Sequence, residues 1–64
     1  METFNTWYEV SVILEVEHKK IHIVSIDSLE EAENKKQELS KTGLKVVVEE
    51  WKLTNDVPIL MGEI

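Results

Sequence analysis

Two runs of alternating residues dominate the sequence, and both carry bulky apolar side chains on each of their faces. Along residues 7–16, Tyr8, Val10, Val12, Leu14 and Val16 fall on one side. Trp7 and Ile13 join Glu9, Ser11, Glu15 and Glu17 on the other. Period-2 alternation over ten residues specifies a β-strand. A second run, residues 44–53, sets Leu44, Val46 and Val48 against Val47, Trp51 and Leu53. A shorter run, residues 21–26, completes the set. In 64 residues the chain has length for one helix to cover one face of such a sheet. A domain of this size with apolar residues left over usually completes its core on a partner or a second copy.

The helix begins at Asp27-Ser28. Ser28-Leu29-Glu30-Glu31 has the capping-box spacing, in which the serine accepts from the backbone and Glu31 reaches back. Glu30, Glu31 and Glu33 lie in the first turns and Lys35, Lys36 and Lys41 later, an order that suits the helix dipole. Glu31 and Lys35 are spaced for an i,i+4 pair. Thr42-Gly43 supplies the stop. The apolar stripe is narrow, consisting of Leu29, Ala32 and Leu39 with the stem of Lys36.

These elements predict a single α+β domain of ββαβ order. Its small antiparallel or mixed sheet carries one helix on one face, with residues 57–61 available as a short fourth strand. Residues 1–6 read as an arm, 7–53 as the core and 54–64 as an apolar tail or edge strand, to which Pro58 confines it. A tight turn at His18-Lys19 would pair Leu14 with Ile23 and Val16 with Ile21. The crossover helix would deliver the third strand parallel to the first or second.

Chemistry finds little foothold. There is no cysteine, which excludes disulfides and four-cysteine zinc sites. His18 and His22 fall in a turn and a strand with no third ligand nearby, so no metal is expected. The serines are accounted for by a strand face, a strand end, a cap and a helix surface. Gly43 and Gly62 are the only glycines, which rules out a phosphate-cradling loop. No catalytic residue and no cofactor are predicted, and the chain is read as not being an enzyme.

The net charge of −6 comes from thirteen acidic residues against seven lysines, with no arginine. That balance argues against direct nucleic-acid binding, which needs clustered cations. It permits a protein that occupies the basic groove of a nucleic-acid enzyme, although acidity in a small protein more often serves solubility alone. No run is long enough to span a membrane and no basic leader precedes one, so a cytoplasmic location is expected.

With the helix on the Tyr8, Val10, Val12, Leu14, Val16, Ile21, Ile23, Val46 and Val48 face, the reverse face would hold Trp7, Ile13, Val24, Ile26, Val47, Trp51 and Leu53. Such a patch is usually an interface. A homodimer, sheet to sheet or edge to edge, is therefore expected, the alternative being that the tail folds over this face. The order of elements is similar to that of the small acidic inhibitors of uracil-DNA glycosylase carried by some Bacillus phages. The likeness lies in a strand beginning Tyr8-Glu9-Val10-Ser11, a charged turn, a second strand, Ile26-Asp27-Ser28-Leu29-Glu30 opening the helix, and a last strand. It rests on this order and not on a diagnostic motif; the family's aromatic plug and tyrosine-rich second strand are replaced here by Leu29 and an aliphatic strand. The resemblance implies a dimeric DNA mimic that binds a host DNA-processing enzyme, with Leu29 as the apolar insert and Glu30 as the acid beside it. Asp27, Glu31 and Glu33 extend that acidic rim. The alternative function is an assembly module docking through the apolar sheet face and tail.

Overall fold

The computed structural model describes residues 5–64. Five elements follow one another: β1 Thr6–Leu14, β2 Lys19–Ile26, α1 Leu29–Ser40, β3 Lys45–Thr54 and β4 Val57–Glu63. The four strands make one sheet in the order β2-β1-β3-β4, and every neighbouring pair is antiparallel. The fold is α+β. Because β1 lies between them, β2 and β3 run in the same direction without touching, so the helix crossover does join two parallel strands.

The core is built from small side chains. Val10 and Val48 face each other across β1 and β3, and Ala32 of α1 packs on both. An alanine at the contact lets the helix backbone approach the sheet closely, and β-branched valines offer a stiff surface to receive it. Tyr8, Val24, Ile26, Leu39 and Val46 pack around this centre. The helix touches β1, β3 and, less, β2, so the same side of β4 is left uncovered.

Both ends of α1 follow their local chemistry. Ser28 is extended and its hydroxyl accepts from the Glu31 N–H at 3.4 Å. At the other end the Thr42 hydroxyl donates to the Leu39 carbonyl at 2.6 Å, and Gly43 turns the chain out at φ +86°. A residue with a Cβ is strained at that angle.

The β1–β2 hairpin differs from the expected one. Residues 15–18 form a four-residue turn closed by His18 in the left-handed region, φ 55°. Leu14 pairs with Lys19 and Val12 with Ile21, which leaves Val16 95% exposed instead of on a strand face. The observed register is shifted by four residues from the expected one. An even shift keeps every side chain on its face, so hydrophobic alternation cannot distinguish the two.

A bulge then reverses the parity of β2. Ser11 pairs with His22 but Val10 pairs with Val24, leaving Ile23 as the extra residue. Val24 and Ile26 therefore turn to the helix side and join the core. This corrects the placement of Val24 and Ile26 on the reverse face.

Residues 57–63 pair along β3 as an edge strand and do not fold across the sheet. The β3–β4 connection is the two-residue turn Asn55-Asp56, both at positive φ (51° and 63°), the type I′ geometry whose twist matches a hairpin. The Leu53 N–H donates to the Asn5 carbonyl, on the β1 side. Leu53 and its partner Pro58 are thus a non-hydrogen-bonded pair, and the donor that proline lacks would have pointed to the free edge. With a second bulge at Met61, both devices blunt β4 against pairing with another strand. Aspartate holds the second left-handed position of the turn where glycine is favoured. Asp56→Gly is expected to stabilise the fold by about 0.5 kcal/mol, raising the thermal midpoint by roughly 3 °C. An unchanged or lowered midpoint would contradict this turn geometry.

Candidate functional site

Two surfaces on opposite sides of the sheet gather the residues singled out in the sequence. The first is the start of α1. Leu29 occupies the first helical position and is 41% exposed, although an apolar residue one turn before the core residue Ala32 would ordinarily be drawn inward. Asp27, Glu30, Glu31 and Glu33 around it are all exposed. The reciprocal half of the capping box is absent: Ser28 caps Glu31, and the Glu31 carboxylate makes no return bond among the described residues. Lys35 pairs with Glu38 at 3.5 Å instead of Glu31. Among the described residues the ion pairs are this one and Lys20–Glu49, so none of the four acids around Leu29 is held in an ion pair there.

Glu33 also reaches the rim of a groove of about 530 Å³ between α1, β3 and the residue that follows β4. Val48 and Ile64 line it together with Lys36, Gln37, Ser40 and Lys41. The polar part of the lining comes from α1 and the residue after it, and the apolar part from Val48 and Ile64.

The second surface is the reverse face of the sheet, on which no element packs among the described residues. Strand pairing fixes its layout. Trp7 and Trp51 sit directly opposite each other and stack, ring centroids 6.3 Å apart and planes 13° from parallel. Leu53 and Leu60 continue this apolar end. Val47 lies opposite Ser11, and Ile13 opposite Lys45. The structure thus brings together Trp7, Ile13, Val47, Trp51 and Leu53, and separates Val24 from them.

A polar device crosses this face that alternation alone did not reveal. Glu9, Glu49 and Glu63 occupy one rung on β1, β3 and β4. Like charges directly opposed repel. Two bonds relieve the rung: the Trp7 indole N–H donates to Glu9 Oε2 at 2.9 Å, and Lys20 Nζ reaches Glu49 Oε1 at 2.7 Å. Lys20 is on β2 and Glu49 on β3, so their bridge passes over β1 at Ser11, which is 1% exposed. Glu49 is itself buried and Lys20 only half so. The signal was present in the parity of Glu9 and Glu49, but reading it required the strand order. The Trp51 indole nitrogen is buried with no hydrogen-bond partner among the described residues.

His22 Nε2 lies 3.0 Å from Ser25 Oγ on the surface, and His18 is in the turn. Among the described residues no three metal-ligating side chains gather into a cation site. No helix among them is long and apolar enough to cross a membrane.

Removing Lys20 would strand a buried carboxylate beside two others, so the bridge should register as coupling. A double-mutant cycle of Lys20→Met and Glu49→Gln, read by urea unfolding, should give about 1 kcal/mol. Strict additivity of the two substitutions would show that the bridge contributes nothing. Comparison of the chain with family models, with curated proteins and with solved structures finds no match.

Proposed function

We propose that this chain is a non-catalytic protein–protein interaction protein, a stoichiometric inhibitor that occupies the DNA-binding groove of a DNA-processing enzyme by imitating DNA. Uracil-DNA glycosylase is the named candidate, met in the cytoplasm. The observation that carries this reading is the exposure of Leu29 at the head of α1 amid four acids that make no ion pair among the described residues. A glycosylase holds phosphates in a basic groove and accepts an extruded nucleotide. Carboxylates can answer the first demand and an apolar insert the second, and neither offers a glycosidic bond to cleave. The formal charge of −6 adds long-range attraction to such a groove.

A second reading has its own support. Val57, Leu60 and Met61 of β4 are about half exposed, and the reverse face is open, as an assembly module docking through apolar surface would require. The two readings differ in their response to salt.

The test is inhibition of uracil excision from a uracil-containing oligonucleotide, titrated with the protein at low and high salt. Mimicry predicts complete inhibition at a fixed stoichiometry, weakening steeply as salt rises. Glu30→Lys combined with Glu31→Lys should reduce it at least tenfold, with the circular-dichroism spectrum unchanged. Leu29→Ala should weaken it without altering the salt slope. Full excision at a large excess of folded protein would reject the named target. Binding that is indifferent to salt and to the lysine substitutions would support the assembly module.

A further inference from the structure

We draw no further inference here: the strongest candidate, the groove of about 530 Å³ between α1, β3 and the residue that follows β4, sets Glu33 against Lys36 and Lys41 around Val48 and Ile64, so its charge selects no class of ligand and nothing in the structure shows what covers it.

Discussion

The packing of Ala32 on the Val10–Val48 rung is the interaction on which the rest of the molecule depends. Small side chains at that point allow one helix to lie close against two strands, and they also limit how far its cover extends. The helix shields β1, β3 and part of β2. It leaves β4 and the whole reverse side to other means. The reverse side is partly self-covered: tryptophans lie flat on one another and a lysine reaches over a strand to a buried glutamate. Such devices remove water from a sheet face without adding a second layer. They bury less apolar area than a helix or second sheet would, in a chain where total stability is on the order of 5 kcal/mol.

Much of this was legible in the residues. Alternation located the first three strands, and Ser28 and Gly43 fixed the helix ends, because capping and alternation are local and each has a single physical solution. What was hidden depended on pairing. The hairpin register slid by four residues because an even shift satisfies the same alternation. Val24 changed sides because one residue, Ile23, is spare in a bulge. The adjacent apolar pair Ile23-Val24 breaks the alternation of residues 21–26, but only the pairing shows that the chain answers the break with a bulge. The Lys20–Glu49 bridge was invisible for the same reason: its partners are 29 residues apart and meet only once β1 is known to lie between them. For the helix start, the residues Leu29 and Glu30 were legible as a cap. Their exposure was not, because a leucine beside Ala32 reads equally well as core.

The two surfaces lie on opposite sides of the sheet, and this separation links them. Because they are apart, contact at the reverse face would leave the acidic helix start free, and contact at the helix start would leave the reverse face free. The blunted edge at Pro58 and Met61 limits further strand addition, which would otherwise turn an apolar edge into a site of uncontrolled growth.

We propose that this small fold is completed by apolar contact beyond its own chain. The most direct measurement is the thermal unfolding midpoint as a function of protein concentration over a hundredfold range. Linkage to association requires the midpoint to climb with concentration, because the pair is disfavoured by dilution while the unfolded chain is not. A midpoint that stays constant over that range, with a cooperative transition, would show that one chain alone is the complete folded unit and would contradict the account.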